Sequence, residues 1–190
     1  SLTNINRQIH ALETTIGQKK TLMMKERILA INPQAKVTTI EKLYTPESNF
    51  FNWDDNYTYI VDAVDDVKAK INLIVNANKH NLPIMSSMGT ANKLDPQKFV
   101  ITDIYKTHTC PLARIMRKTL KQQGIKHLKV LYSTEEPFTN YTVNFKENTS
   151  KDNSPASTRK QPLGSISFVP PIAGLMIAGE IVKDICQINR

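Results

Sequence analysis

Glycine is scarce in this sequence, and none of it is clustered. The six glycines among 190 residues are Gly17, Gly89, Gly124, Gly164, Gly174 and Gly179. None forms the GxGxxG pattern that lets backbone close on a pyrophosphate, which excludes a glycine-rich phosphate loop within these residues. Cysteine is scarcer still, with Cys110 and Cys186 alone. Two cannot build a disulfide framework, and neither sits in a CxxC pair of the zinc-ligand kind. Such usage is expected of a reducing cytoplasm. The most apolar stretch, Ile166 to Ile185, is broken by Pro170, Pro171, Glu180, Lys183 and Asp184. A membrane span needs about 20 mostly apolar residues, so a core helix is expected there and no membrane association. No charged-then-apolar signal segment opens the chain.

What is present is ordinary globular composition, with 40% hydrophobic and 22% charged residues. The length suits one domain of roughly 150 residues with a small appendage. Lys and Arg number 25 against 17 Asp and Glu, a formal net charge of +8. That balance suits a polyanionic partner, nucleic acid or nucleotide first and an anionic membrane second. Many basic proteins bind nothing acidic, so charge needs a motif beside it.

Hydrophobic periodicity predicts helices over Gly17–Ile31, Val67–His80, Pro111–Gln123 and Pro171–Ile188. Short β-branched or apolar runs predict strands over Lys36–Leu43, Tyr57–Val64, Leu82–Ser86, Phe99–Tyr105 and Leu128–Tyr132. Strand–helix–strand alternation is the pattern of parallel βαβ units, and right-handed crossovers place helices on both faces of the sheet. The expectation is an α/β, Rossmann-like, mostly parallel fold. Residues 1–137 form its main body, and residues 138–163, rich in Asn, Ser, Thr and Lys, read as a flexible loop. Residues 164–190 read as a C-terminal helical segment packing on the same domain. The loop holds two glycosylation sequons, at Asn140 and Asn148, which a cytoplasmic chain would not use.

Three segments could carry chemistry. The first runs Asn4-Ile5-Asn6-Arg7-Gln8, then Gly17-Gln18-Lys19-Lys20. Arginine, amide and lysine donors near a helix start can grip a polyphosphate; the plainer alternative is a polar loop and a solvated helix face. The second, Asp62 to Asp66, follows an apolar strand, where ligands bind in open α/β sheets. Asp66 suits an N-cap and Asp62 a structural role, which leaves Asp65 as the candidate Mg²⁺ ligand. The third is the helix at Pro111. Leu112, Ile115, Met116 and Leu120 form its apolar stripe, and Arg114, Arg117, Lys118 and Lys121 form a basic opposite face. That face would track phosphates, or is simply solvated. Cys110 has no placed base and reads as inert or an incidental cap. His10, His80, His108 and His127 lack metal-ligand spacing and read as bystanders, and Trp53 as a packing residue.

Together these segments resemble the ThiF/MoeB/HesA branch of the ubiquitin-activating-like adenylating enzymes. The shared order is Asn-x-x-Arg-Gln (Asn4, Arg7, Gln8), Gly-x-x-Lys (Gly17, Lys20), Ile-Asn-Pro (Ile31 to Pro33) and Asp-Ala-x-Asp (Asp62 to Asp65). Within that branch the chain is most similar to the tRNA threonylcarbamoyladenosine dehydratases. Thr3 to Leu12, Leu94-Asp95-Pro96, Lys106-Thr107 with Pro111-Leu112-Ala113, Ser133-Thr134-Glu135 and Gly164 to Ile181 carry that likeness.

The resemblance implies ATP and Mg²⁺ as cofactors and a threonylcarbamoyladenosine carboxylate on tRNA as substrate, cyclised with loss of water. By matched position, Asn4 and Arg7 would contact the ATP phosphates, Gln8 would support them, and Lys20 would neutralise the α-phosphate. Asp65 would hold Mg²⁺. It also implies a homodimer and leaves room for a sulfur-transfer or cysteine desulfurase partner. The family's opening strand, glycine-rich loop, helix and second strand have no counterpart in these residues. The chain is therefore expected to be the larger C-terminal part of such an enzyme, truncated at its N-terminal βαβ unit. By itself it is expected to be inactive, to bind ATP weakly, and to expose an edge strand. The alternatives are adenylation of a sulfur-carrier protein and a non-catalytic dimerisation or tRNA-binding remnant.

Overall fold

The computed structural model describes residues 2–136 and 163–188. Its strands are β1 (Ile60–Asp62), β2 (Ile84–Ser87), β3 (Phe99–Asp103) and β4 (Lys129–Ser133). Its helices are α1 (Lys20–Ile31), α2 (Val67–Lys79), α3 (Pro111–Gln122) and α4 (Val169–Ile185). The sequons and nearly all of the 138–163 loop fall outside the described residues.

Successive side chains of a strand point to opposite faces, and β4 shows the resulting layers. Val130 and Tyr132 join Ile74 of α2 and Ala113, Met116 and Leu120 of α3 on one face. Leu131 joins Met85, Phe99 and the α4 residues Val169, Ala173 and Ile177 on the other. Helices thus cover both faces of the sheet. The strand order is β1-β2-β4-β3. β1, β2 and β4 run parallel, with Asp62 opposite Ser86 and Ser86 opposite Val130. β3 runs antiparallel to β4. The sheet is mostly parallel, and β1 is an edge strand whose Val61 is half exposed.

Local chemistry fixes the helix ends. α1 starts three residues later than predicted because Gly17 sits at φ +85°, a left-handed conformation that cannot enter a right-handed helix. Asn32 ends it, and Pro33 cannot continue it. α3 begins with Pro111 at its first position and Gly124 follows its end at φ +75°. Its inner face is Ala113, Met116 and Leu120; Ile115, predicted to join that stripe, is half exposed. The predicted strand at Lys36–Leu43 is not formed. Val37 and Thr39 are half-buried between exposed neighbours, as alternation requires, but no strand of the sheet hydrogen-bonds to them. At the opposite end from the strands' carboxyl termini, Lys129 pairs with Asp184 at 2.6 Å and Glu180 at 3.1 Å, and the Tyr59 hydroxyl donates to Asp184 at 2.8 Å. These contacts fasten α4 to the starts of β1 and β4.

Candidate functional site at the carboxyl edge of the sheet

Three carboxylates crowd the turn from β1 into α2, and they divide their work. Asp62 is fully buried and its Oδ2 accepts from Lys70 Nζ at 2.7 Å and from the Ser86 hydroxyl. Its Oδ1 accepts from the Val64 N–H at 3.0 Å. Asp66 caps α2, accepting from the Ala69 N–H at 2.8 Å. Asp65 stands between them, exposed, with no hydrogen bond or ion pair to another described residue. Burial holds the Lys70 ammonium below the ordinary lysine range, opposed by the nearby carboxylates of Asp62 and then Asp65.

No group of three or more His, Cys, Asp or Glu side chains converges among the described residues, so no all-protein metal cage forms there. One exposed carboxylate does fit Mg²⁺, which binds through one or two carboxylates and takes its remaining ligands from phosphate and water.

A 3₁₀ helix over Leu2–Asn4 leads into the Asn4-x-x-Arg7-Gln8 segment, which folds as a turn with the Asn4 carbonyl accepting from Arg7 N–H at 3.2 Å and Gln8 N–H at 2.9 Å. The Arg7 guanidinium donates to the Thr3 carbonyl and the Asn6 side chain, both at 2.9 Å. Lys20 is the first residue of α1 and is exposed. Asn4, His10 and Lys20 line one small cleft with Thr15, Gln18 and Met23. Periodicity gave no reason to single out His10. Its Nε2 is buried without a hydrogen-bond partner among the described residues, as are Gln8 Oε1 and Thr21 Oγ1. Burial, and then the Lys20 charge, hold the His10 imidazole below its ordinary range, which favours the neutral form.

Two chain segments tie this turn to the ends of β2 and β4. Asn6 donates to the Ser165 carbonyl at 2.8 Å. Gly164 and Asn92 exchange a pair of hydrogen bonds at 2.8 and 2.9 Å. The Leu94-Asp95-Pro96 and Ser133-Thr134-Glu135 segments also meet. The Glu135 carboxylate accepts from the Leu94 and Asp95 N–H groups, each at 3.0 Å. Lys93, almost fully buried, donates to the Glu135 carbonyl. The parallel strands end along this same edge, so the β1–α2 turn and the Asn6 contact lie on one side of the sheet.

The basic face of α3 is less uniform than its sequence. Arg114, Lys118 and Lys121 are exposed, whereas Arg117 turns back and donates to the Thr107 carbonyl at 2.8 Å and to its hydroxyl. Cys110 is buried and caps α3, its sulfur 3.5 Å from the Ala113 nitrogen. His80 stacks on Trp53, itself packed against Phe51, and His108 lies edge-on to Tyr132. His127 stands 3.6 Å from Asp103.

Sequence reasoning missed Lys70 and Ser86. A signal existed: Lys70 falls on the same α2 stripe as Leu73, Ile74 and Ala77, all buried. A lysine in an apolar stripe needs a carboxylate partner.

The family model described as ThiF family matches residues 1–190. The chain is 40% identical over 187 residues to the tRNA threonylcarbamoyladenosine dehydratase of Bacillus subtilis (strain 168), covering 98% of this chain and 73% of that one. It is 38% identical over 120 residues to the dehydratase of Escherichia coli (strain K12), a match spanning 63% of this chain and 45% of the relative. Among solved structures it resembles E. coli tRNA N6-threonylcarbamoyladenosine dehydratase in complex with ATP. The TM-score is 0.79 at 27% identity, covering 98% of this chain and 72% of that one. The same enzyme in complex with AMP gives a TM-score of 0.77.

Proposed function

The chain belongs to the ThiF family, and from that premise we propose that it forms the body of an ATP-dependent tRNA threonylcarbamoyladenosine dehydratase. The observation that carries the reading is 40% identity to such a dehydratase across 98% of these residues. In the proposed reaction the threonyl carboxylate attacks the α-phosphorus of ATP, and pyrophosphate leaves with the electrons of the broken P–O bond. The ureido group of the same nucleoside then attacks the activated carbonyl. AMP departs, the N–H proton is lost, and the ring closes with net loss of water.

Negative charge builds on phosphorus as the carboxylate arrives, and fixed cations aimed there stabilise it. Lys20 is assigned that role, Asn4 and Arg7 the phosphate contacts, and Gln8 their support. Asp65 is assigned to Mg²⁺, which would neutralise the phosphates and orient the leaving group. An exposed carboxylate that makes no hydrogen bond or ion pair to another described residue supports that assignment. The exposed Arg114, Lys118 and Lys121 form the proposed tRNA-docking face, and Arg117, turned back onto Thr107, braces the helix that carries them. The chemistry is that of a ligase-like carboxylate activation. The protein is proposed to act in the cytoplasm as a homodimer, with a cysteine desulfurase or other sulfur-transfer protein as partner. Among the described residues no helix is long and apolar enough to cross a membrane. Neither cysteine belongs to a CxxC pair, which disfavours the sulfur-carrier adenylation reading.

The test is mass spectrometry of tRNA nucleosides from cells with and without the gene. Disappearance of the cyclic nucleoside on deletion is expected. Its persistence would overturn the reading and move the search to carrier-protein substrates.

A further inference from the structure

We propose that the buried Asp62–Lys70–Ser86 network is a positioning device that presents Asp65, alone of the three turn carboxylates, to the Mg²⁺–ATP complex. The inference rests on the assignment of Asp65 to Mg²⁺. Asp62 ends β1, Ser86 lies opposite it in β2, and Lys70 enters from the second turn of α2. All three are at most 1% exposed. One ammonium and one hydroxyl converge on Asp62 Oδ2, and the Val64 N–H occupies Oδ1. Lys70 also reaches the Ser86 hydroxyl, at 3.3 Å.

Two consequences follow for Asp65. Its backbone is anchored on both sides, by Asp62 through Val64 and by Asp66 through Ala69. Its competitors are also occupied, because Asp62 is neutralised by Lys70 and Asp66 is committed to the helix cap. A divalent ion arriving at this turn therefore meets one available carboxylate in a fixed place.

A buried ion pair is a poor device for stability alone. Its desolvation cost is large, and well-packed apolar residues of similar volume serve as well or better. That property separates positioning from scaffolding. Asp62→Leu with Lys70→Met replaces the ion pair by an apolar pair and removes the Val64 anchor while keeping the core filled.

The experiment measures, by calorimetry on the intact protein purified from its own cells, how much Mg²⁺ tightens ATP binding relative to EDTA. Hydrogen exchange at the Val64 amide is followed alongside. The double variant is expected to melt no lower than the parent, to lose roughly tenfold or more of the Mg²⁺-dependent gain, and to exchange Val64 faster. Affinity in EDTA is expected to stay the same. Ser86→Ala, which removes one donor and leaves the pair, should show the same changes in smaller measure; it decides the matter if the double variant does not fold. Asp65→Asn is the reference and should abolish the gain. A variant network with the full Mg²⁺ gain, beside an Asp65→Asn that has lost it, overturns the positioning role alone. If Asp65→Asn itself keeps the gain, the metal assignment falls and the positioning role with it.

Discussion

The guanidinium of Arg117 donates to the main-chain carbonyl of Thr107 at 2.8 Å, reaching back over ten residues from α3 to the turn that precedes it. Thr107 is 6% exposed, so that carbonyl has little access to water. The most centrally placed arginine of a basic helix face is thereby committed to the fold.

Arg117→Ala is expected to lower stability by about 1–3 kcal/mol, the cost of leaving a buried acceptor unpaired. Arg114→Ala, Lys118→Ala and Lys121→Ala should each change stability by less than about 0.5 kcal/mol. Each should instead reduce the slope of log affinity for tRNA against log salt by about 1. Thermal unfolding and filter binding over a salt series distinguish the two classes. Equal stability losses at all four positions would remove the α3 docking face.

Lys20→Ala should leave the fold intact, since the side chain is exposed at the start of α1. It should slow adenylation by about 10²–10³-fold, as removal of a fixed charge stabiliser does. ATP–pyrophosphate exchange in the intact protein reports this, and an unchanged rate would strip Lys20 of its role.

Acid should loosen the attachment of α4. The hydrogen bond from Lys129, ahead of that from Tyr59, holds the Asp184 carboxyl below its ordinary value of 3.8. A carboxylate whose folded value is depressed binds fewer protons folded than unfolded, so its contribution is whole above 3.8 and is lost as pH falls through the depressed value. Urea midpoints between pH 5 and 2 should therefore fall more steeply in the parent than in Asp184→Asn. Parallel curves would show that this network carries no pH dependence.

Glu135→Ala removes the acceptor for the Leu94 and Asp95 amides. The expected cost is about 1–3 kcal/mol, with faster hydrogen exchange at both amides. Unchanged exchange would mean that the loop after β2 holds its shape without the clamp.

Much of this architecture is legible in the residues themselves. Apolar runs at Tyr57–Val64 and Leu128–Tyr132 mark two of the parallel strands, although β1 is trimmed to three residues because, among the described residues, only β2 pairs with it. Pro111 and Gly124 bracket α3 because each has one backbone preference that suits one end of a helix. Asp66 as a cap is readable for the same local reason. The β-branched Lys36–Leu43 run has the same pattern, but a strand is defined by a neighbour, and pattern carries no information about whether one is there. At the site, single-residue chemistry was readable and pairwise chemistry was not. Asp65 stands out by sequence order; that Asp62 is bound to Lys70 and Ser86 depends on β1 and β2 lying side by side. Arg117 and Lys118 are neighbours of one charge, and only the turn at Thr107 makes them different.

Among the described residues β4 is the last strand in chain order, and it sits inside the sheet, between β2 and β3. Among the described strands β3 pairs with β4 alone. On the ribosome, the β3 segment must therefore emerge and wait with its backbone groups unpaired until Lys129–Ser133 follows. Nascent chains halted before β4 should be bound by chaperones and cut by proteases near Phe99–Asp103, while chains halted well beyond it should resist both. The order of synthesis thus places a period of risk between the emergence of β3 and that of β4.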